Sequence, residues 1–317
     1  MDMDYAEISV AGAGLKVPSA KIDGKTIIVT GGWLKLAAVR DEDWQEGEVV
    51  LPPDQFLAYV RQHKDLGADI FTFSQKPSDP TPRFPFYYEW DSVAAIRTGS
   101  FEDWWTNRVS TDLRRDVRKA AKLGVVVRRV PFNDELVRGI MEIYDETPIR
   151  QGGPFWHYKK GFAAVKLANA TYVEKSDFLG AFWGDELIGF VKIVYVDRLA
   201  RLMQIISKDA HRDKRAANAL IAKAVEVCEA KGCSHLTYGK YHYAQGADSL
   251  TAFKHRNGFE EVLTPKYYVP LTTIGGLALR LRLHRGLRVL LPESVLRSLK
   301  RVKASVYRHS LLTRTAT

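Results

Sequence analysis

The part of the chain that follows Pro131 most constrains its fold, because segments typical of helices and strands alternate there in a regular order. Two helical segments come first, DELVRGIMEIYDET and KKGFAAVKLANATYV. The next segment predicts two strands joined at Gly184-Asp185, a dipeptide typical of hairpin turns. A strand, RLARLMQIIS, then leads through a basic turn into a helix from about 216 to 231, whose apolar residues share one face. The series closes with the strand SHLTYGKY, the helix SLTAFKHRN and the strand FEEVLT.

The region before Pro131 is less regular. Short apolar runs such as TIIVTGGWLKLAAV accompany one helical pattern, DQFLAYVRQHKDLG. KPSDPTPRFP has four prolines in ten residues and predicts a loop. The segment 100–124, SFEDWWTNRVSTDLRRDVRKAAKLG, predicts one helix that ends at Gly124. Several cations of this helix fall near one face, which suits either solvent or an anion such as RNA.

The net charge of +10 is concentrated at the C-terminal end, where residues 275–317 contain ten Lys or Arg and a single acid, Glu293. Over 277–291 the pattern predicts a helix with a leucine stripe opposite its arginines, and a second amphipathic pattern follows Pro292. The first stripe consists of Leu279, Leu283, Leu287 and Leu290. Basic amphipathic helices suit the surface of an anionic membrane. RNA is a second polyanion for residues 277–309, and packing of the stripes on the protein body is a third alternative.

Other features restrict the class of protein. The N-terminal segment MDMDYAEISV has no apolar run behind a basic start, which argues against a secretory signal. No stretch reaches the roughly 18 apolar residues of a membrane-spanning helix. Cys228 and Cys233 are too few for a disulfide framework, and they lack accompanying ligands for a metal. We therefore expect a cytoplasmic protein without a metal site, in which both thiols are reduced.

The order of elements over 130–265 resembles that of the GNAT acyltransferases, and AFKHRNGFEEV is similar to the C-terminal signature of that family. RRDVRKAAKLGVVV and AFK…GF also resemble the Fem-type branch, whose members fuse two GNAT-like halves. The resemblance implies an α+β fold, a mixed sheet flanked by helices, in tandem with a degenerate first half. The implied domains are 1–125 for that half, 126–270 for the acyltransferase domain, and 271–317 for a basic amphipathic tail.

The resemblance also implies a reaction. GNAT enzymes move an acyl group from acyl-coenzyme A, so we expect transfer of an acetyl or similar group to an amine or hydroxyl of a cell-envelope sugar or lipid-linked precursor. Fem-type enzymes instead use aminoacyl-tRNA to attach amino acids to peptidoglycan precursors, which is the alternative. A catalytically dead scaffold that binds membrane or RNA is the rival from another class.

The donor site follows from the same resemblance. GNAT proteins bind the pyrophosphate of coenzyme A at a strand-to-helix turn, through backbone N–H groups and the helix N-terminus. The corresponding residues here are Arg212, Lys214, Arg215, Ala216, Ala217 and Asn218. Arg215 stands where the family has glycine, and Asp213 adds a negative charge, so either coenzyme A or aminoacyl-tRNA remains a candidate donor. The added cations supply charge-assisted donors for a phosphate.

Catalytic residues are expected at two places. Lys254 occupies the position at which many GNAT enzymes carry a catalytic Tyr, and its ammonium could stabilise an oxyanion. Tyr241 and His242 follow the strand that splays from its neighbour in this fold, and strand alternation lets only one of them point inward. The connection 148–162 lies where the family binds its acceptor. Its candidate residues are Arg150, Trp156, His157 and Tyr158, of a type that suits stacking and hydrogen bonding to a polar acceptor.

Overall fold

A computed structural model describes residues 4–10, 13–22, 24–47, 53–150, 153–242 and 248–285. The strands are β1 Asp4–Val10, β2 Ala13–Ile22, β3 Lys25–Thr30, β4 Leu36–Val39, β5 Ile70–Ser74, β6 Tyr87–Arg97, β7 Val125–Val130, β8 Ile149–Arg150, β9 Gly153–Pro154, β10 Ser176–Trp183, β11 Glu186–Val196, β12 Leu199–Ser207, β13 His235–Lys240 and β14 Glu260–Pro270. The α-helices are α1 Glu42–Gln45, α2 Pro53–Gln62, α3 Phe101–Asp103, α4 Thr111–Lys122, α5 Asp134–Tyr144, α6 Phe162–Ala170, α7 Ala216–Ala230, α8 Asp248–Arg256 and α9 Thr273–Arg280.

The chain divides into two compact units. Among the described residues, the first unit contains 4–91 and 263–285, and the second contains 92–262. The strands β6 and β14 contribute residues to both units. These units therefore divide the chain at positions other than the domain boundaries expected from the sequence, which lay at 125 and 270. Most of β14 belongs to the first unit, where it pairs with β5, which is distant in sequence. A boundary that depends on such long-range pairing cannot be recognised from local sequence.

The first unit is built on antiparallel strands. β1, β2, β3 and β4 pair in sequence order, β4 pairs with β5 in parallel, and β14 pairs with β5 antiparallel. The core beside them takes Leu57 and Val60 from α2, and Phe71 and Phe73 from β5. Their burial follows from the alternation of apolar residues along the strands and the helical spacing of those in α2.

Helix α9 packs against the first unit through its small residues. Thr272 Oγ1 accepts a hydrogen bond from Gly275 N and donates one to Asp69. A Cβ on Gly275 would lie 2.0 Å from Asp69 O, so only glycine permits this approach. Leu279 is buried here, and Leu283 packs against the same cluster. The predicted leucine stripe therefore packs on the body over its described part.

The helix predicted from 277 to 291 is also shorter than expected. α9 ends at Arg280, and Arg282 has a positive φ of 57°, which interrupts the helical path. A second contact fixes the chain just beyond this point, because His284 Nε2 lies 2.9 Å from Glu89 Oε1 and Arg285 Nε donates to the same oxygen. The rest of the predicted tail, 286–309, lies outside the described residues.

The second unit is a mixed sheet with helices on both faces, as predicted. Its strands lie in the order β6, β13, β12, β11, β10, β7, and only the β12–β13 pair among them is parallel. Alternate residues of β11 face opposite sides. Val191 packs in the core beneath α4 and α7, whereas Phe190 packs in the core beneath α5 and α6. The hairpin turn at Gly184, with a φ of 58°, is confirmed.

The β12–β13 pair diverges along its length. The paired positions run from Leu199 opposite His235 to Arg201 opposite Thr237, although β12 continues to Ser207 and β13 to Lys240. The remaining residues of the two strands are therefore separated, and a gap opens between them. This is the splayed arrangement expected from the sequence resemblance.

The single helix predicted over 100–124 is wrong. α3 leads into a π-helical segment, Trp104–Arg108, and Val109 is extended before α4 begins. Ser110 caps α4, because its Oγ accepts a hydrogen bond from Leu113 N. The Arg114 side chain caps the end of the π-helical segment, because it donates hydrogen bonds to Trp105 O and Thr106 O. The cap at Ser110 explains the break, and the break gives α4 a direction of its own.

Candidate functional site

A cavity of about 930 Å³ lies at the gap between β12 and β13, within the second unit. The outer half of β12 supplies Gln204, Ile205, Ile206 and Ser207, and Tyr238 comes from β13. The turn after β12 and the first residues of α7 lie along the cavity as well, together with Ile149, Arg150 and residues 154–157. The gap in the sheet therefore brings the predicted donor turn and the predicted acceptor segment to one site.

The donor turn joins β12 to α7 through a 3₁₀ segment, Asp209–Lys214. Arg215 then adopts φ 59° and ψ 29°, the left-handed conformation that glycine takes most easily. An arginine in this conformation costs about 1–2 kcal/mol, at the position where the resemblance implies glycine. In the described structure no side chain caps the first turn of α7. Its N-terminus is therefore open to an anion in the cavity.

Five of the six predicted donor residues line the cavity: Arg212, Arg215, Ala216, Ala217 and Asn218. Arg215 Nε is buried without a hydrogen bond and lies 3.6 Å from Asp116 Oδ1 on α4. Lys214 does not line the cavity, because its ammonium lies over the ring of Trp183 at 4.1 Å from the centroid. The structure thus separates Lys214 from the other two cations of the turn.

A carboxylate behind the turn holds it in place. Glu146 accepts hydrogen bonds from the backbone N–H groups of Asp209 and Ala210, at 2.6 and 2.8 Å. Arg150 donates to Glu146, and also to Ser207 O and Ile143 O. Arg150 lines the cavity, but its guanidinium is already hydrogen-bonded to two backbone carbonyls and to Glu146. The geometry therefore gives Arg150 a positioning contact in addition to its place in the predicted acceptor site.

The acceptor side of the cavity is aromatic. His157 lies between the rings of Tyr144 and Trp156, at centroid distances of 4.3 and 3.5 Å. Burial, and then the neighbouring charge of Lys160, lowers the pKa of His157 to about 4. The imidazole is therefore neutral at physiological pH, and burial raises the pKa of Tyr144 to about 12, so that this phenol is neutral as well.

A chain of hydrogen bonds orients this imidazole. Asn169 Nδ2 approaches Tyr144 Oη at 3.5 Å, and Tyr144 Oη donates to Gln204 Oε1 at 2.6 Å. The amide nitrogen of Gln204 is thereby directed to Nε2 of His157, at 3.4 Å. Because the amide donates, Nε2 of the neutral ring accepts, and Nδ1 carries the proton. His157 thus presents a defined tautomer beside the cavity.

Lys254 is fully buried on α8 rather than exposed on it. Its ammonium donates to Lys240 O at the end of β13 and lies 4.7 Å from the ring centroid of Tyr238. Burial lowers the pKa of Lys254 to about 8. Lys254 does not line the cavity, and Tyr238, whose ring it contacts, does. Its predicted role in turnover would therefore act through β13.

Besides Lys214 and Lys254, three more predicted site residues lie outside the cavity lining. Tyr241 is buried, and burial raises its pKa, whereas His242 is exposed and approaches Glu261 at 3.5 Å. The two residues thus differ in exposure, although both lie beyond the end of β13 at Lys240. Tyr158 N donates to Phe155 O in the acceptor segment. Their predicted roles stay predictions.

Sequence reasoning missed Gln204, Tyr144, Glu146 and Asp116. Gln204 had a local signal, since it is the one amide in the apolar strand RLMQIIS. Glu146 and Asp116 look like ordinary surface acids in sequence, and only the fold brings them beside the turn.

The comparisons with known proteins agree with this geometry. Residues 137–246 match the sequence model of the Acetyltransferase (GNAT) family. No curated protein matches the chain. Among solved structures, the chain is similar to FemX, with a TM-score of 0.57, 10% identity, and coverage of 82% of this chain and 88% of that one.

Two further structures share the fold. One is the C-terminal domain of an Agrobacterium fabrum protein described as a lysylphosphatidylglycerol synthetase, with a TM-score of 0.55, 13% identity, and coverage of 83% and 87%. The other is L-PGS from Bacillus licheniformis, with a TM-score of 0.53, 15% identity, and coverage of 84% and 88%. The chain therefore has the two-half, Fem-like form of the GNAT fold, and the match over residues 137–246 supports acyltransferase activity.

Among the described residues, none of the helices combines the length and apolar character that spanning a bilayer requires.

Proposed function

We propose that the protein transfers an acetyl or similar acyl group from acyl-coenzyme A to an amine or hydroxyl of a cell-envelope sugar or lipid-linked precursor. The cavity at the divergence of β12 and β13 carries this proposal. It joins an uncapped helix N-terminus with Arg212 and Arg215 to an aromatic segment that contains a neutral histidine. The first group suits the pyrophosphate of the donor, and the second suits a polar acceptor.

In the proposed reaction, the acceptor attacks the thioester carbonyl, a C–N or C–O bond forms, and the C–S bond breaks. The acceptor loses a proton and the leaving thiolate gains one. With a pKa of about 4, His157 is a weak base at neutral pH, so its main contribution is a hydrogen bond that orients the acceptor. Lys254 fixes the carbonyl of Lys240 and the ring of Tyr238, which lines the cavity. Loss of Lys254 would therefore change the cavity through the position of the Tyr238 side chain.

The test is to titrate the protein with acetyl-coenzyme A and to measure free thiol release with a panel of amino sugars and lipid-linked acceptors. The matched variant is Arg212→Ala with Arg215→Gly, because glycine accepts the positive φ at 215. Thiol release that needs both an acceptor and the intact turn supports the proposal. Thiol release at the same rate in the variant would place the donor elsewhere.

Aminoacyl-tRNA is the second candidate donor, and Arg215 favours it. A side chain at the family's glycine position, 3.6 Å from Asp116, narrows the approach to the backbone that coenzyme A uses. The same titration with charged tRNA distinguishes the two donors. Turnover with neither donor, in a folded protein, would favour a scaffold without catalytic activity.

We also propose that the protein is cytoplasmic and binds the inner face of the plasma membrane through the predicted region 277–309. Described residues at the start of this region and just before it support binding to an anionic bilayer. Ile274, Leu277 and Leu281 are 57–59% exposed and lie three and four residues apart on one side of the chain. Exposed Arg280 and Arg282 lie beside them. An apolar face next to cations is the arrangement that membrane-surface helices use.

Vesicle co-sedimentation tests this membrane proposal. Changing Ile274, Leu277 and Leu281 to Ser should reduce binding to anionic vesicles, whereas Leu167→Ser, at a residue 75% exposed on α6, is the matched control. A truncation should end at residue 285, since a cut at 274 would remove buried Leu279 and His284. Equal sedimentation of the triple variant and the intact protein would remove this face from the proposal. Binding of tRNA but not of vesicles would point to RNA as the polyanion.

A further inference from the structure

Helix α4 has a basic groove on the side that does not face the donor cavity. The groove has a volume of about 570 Å³ and is lined by Thr111, Arg114, Arg115, Arg118, Lys119 and Lys122. Five of these six residues are cations, and the lining contains no carboxylate among the described residues. We call this surface the α4 groove.

The cations of the α4 groove are incompletely neutralised. Arg114 is fixed by its bonds to Trp105 O and Thr106 O, and Arg115 pairs with Asp112 at 2.9 Å. Arg118, Lys119 and Lys122 are exposed, and within the described ranges no ion pair or side-chain hydrogen bond involves them. The groove therefore presents three cations that are available to a ligand.

The spacing of these cations destabilises helix α4. Arg114, Arg118 and Lys122 follow one another at intervals of four residues, and Arg115 and Lys119 do the same. Like charges at this spacing destabilise a helix by about 0.2–0.5 kcal/mol per pair. The negative end of the helix dipole offsets the repulsion at Lys119 and Lys122, which lie in the last turn. It does not offset the repulsion between the arginines before them. A bound anion would offset it along the whole row.

The groove is connected to the donor cavity through Arg115. Asp112 and Asp116 lie on the cavity side of α4, and both line the cavity. Arg115 contacts Asp112 and lies 3.8 Å from Asp116, which in turn lies 3.6 Å from Arg215 of the donor turn. From Asp112 to Lys122 the helix rises by about 15 Å. A donor anchored at the turn could therefore continue along α4.

We propose that the α4 groove is a second phosphate subsite, which holds a phosphate of the acyl donor that lies outside the cavity. The proposal rests on the proposed function, because it takes the donor to be anchored at the turn. Guanidinium groups bind phosphate oxygens through paired hydrogen bonds, and the lysines add point charges. The phosphate is the 3′-phosphate of coenzyme A, or a backbone phosphate of RNA if the donor is aminoacyl-tRNA.

The experiment compares three variants with the wild type. The groove variant carries Arg118→Gln, Lys119→Gln and Lys122→Gln. The matched control carries Arg128→Gln, Arg138→Gln and Lys166→Gln, which remove the same charge from exposed positions outside the groove and the cavity. The turn variant carries Arg212→Ala and Arg215→Gly. Each is titrated with coenzyme A, with dephospho-coenzyme A, which lacks the 3′-phosphate, and with tRNA at two salt concentrations.

The groove variant should lose about 10-fold or more in affinity for one phosphate-bearing probe, and the control less than 2-fold. A loss for coenzyme A but not for dephospho-coenzyme A identifies the 3′-phosphate. A loss for tRNA, with the slope of log affinity against log salt reduced by about 2, identifies RNA, since each single-strand phosphate contact contributes about 0.7 to that slope.

Two outcomes would overturn the proposal separately from the proposed function. If the turn variant loses affinity and the groove variant binds every probe like the wild type, the α4 groove is not a donor subsite. If the wild type binds none of the probes, both the subsite and the proposed function are wrong. Equal losses in the groove variant and the control would reduce the effect to net charge.

Discussion

The two sides of the cavity handle charge in opposite ways. The donor turn gathers Arg212 and Arg215 beside an uncapped helix N-terminus, and Arg215 accepts an unfavourable backbone conformation to stay there. On the acceptor side, His157 is half-buried among aromatic rings, and its imidazole is neutral. The donor side thus suits a ligand with a permanent negative charge. The acceptor side suits an amine or hydroxyl that must be neutral when it forms the acyl bond. The difference indicates a site for transfer between unlike partners.

A buried lysine lies behind each side. Lys254 bonds to Lys240 O and contacts Tyr238 of the cavity. Lys192 bonds to Asn169 O and to Thr171, behind the Asn169–Tyr144–Gln204 chain. Burial lowers the pKa of both lysines to about 8. Since their environments are alike in burial and in pKa, only their positions can give them different roles.

The largest expected effect is that of Lys254→Met. Because Lys254 holds Lys240 O and the ring of Tyr238, which lines the cavity, kcat should fall about 10²-fold, the loss that a small misplacement of active-site groups can cause. Steady-state kinetics at saturating donor measure this. Lys192→Met is the control. We expect it to lose thermal stability, because the carbonyls of Asn169 and Thr171 lose their donor, and to change kcat little. Equal losses of kcat in the two variants would show that burial, not position, matters.

The second effect concerns the donor turn. Arg212→Ala with Arg215→Gly should weaken donor binding by about 1.5–3 kcal/mol in total, the range for hydrogen bonds to a charged group. Lys214→Ala should change donor affinity less than 2-fold, because that ammonium lies over Trp183 and does not line the cavity. Calorimetric titration of the three proteins measures the difference. A Lys214 variant as weak as the double variant would contradict the separation of these cations.

The sequence predicted the donor side better than the acceptor side. The order of elements after Pro131 led to the sheet and the basic turn, since these follow from local patterns and their succession, whereas the gap was implied by the family resemblance. Sequence alone did not show that Lys254 is buried, that Leu279 packs inward, or that a cap at Ser110 breaks the helix over 100–124. Each depends on which neighbour the fold brings close. The chain that orients His157 combines residues from three elements and one loop, so no local pattern contains it.

A smaller effect tests that chain. Tyr144→Phe removes the hydroxyl that fixes Gln204, and loss of one neutral hydrogen bond costs about 0.5–1.5 kcal/mol. We expect the KM for the acceptor to rise about 3- to 10-fold, while the affinity for the donor and the kcat stay close to wild type. Initial rates with each substrate varied in turn separate these constants. A change confined to the KM for the donor would mean that the chain serves the turn instead.

The smallest effect is on stability as a function of pH. The pKa of His157 falls from its ordinary 6.5 to about 4 on folding, so the unfolded chain binds more protons between these values. The free energy of unfolding is therefore highest above pH 6.5, where the ring is neutral in both states, and it decreases as the pH falls towards 4. In thermal unfolding across this window, the Tm of the wild type should fall more steeply than that of His157→Gln. His242→Gln, at an exposed side chain, should keep the wild-type slope. Parallel curves for the wild type and His157→Gln would show that the imidazole is not held neutral, and the contrast between the two sides of the cavity would then lose its physical basis.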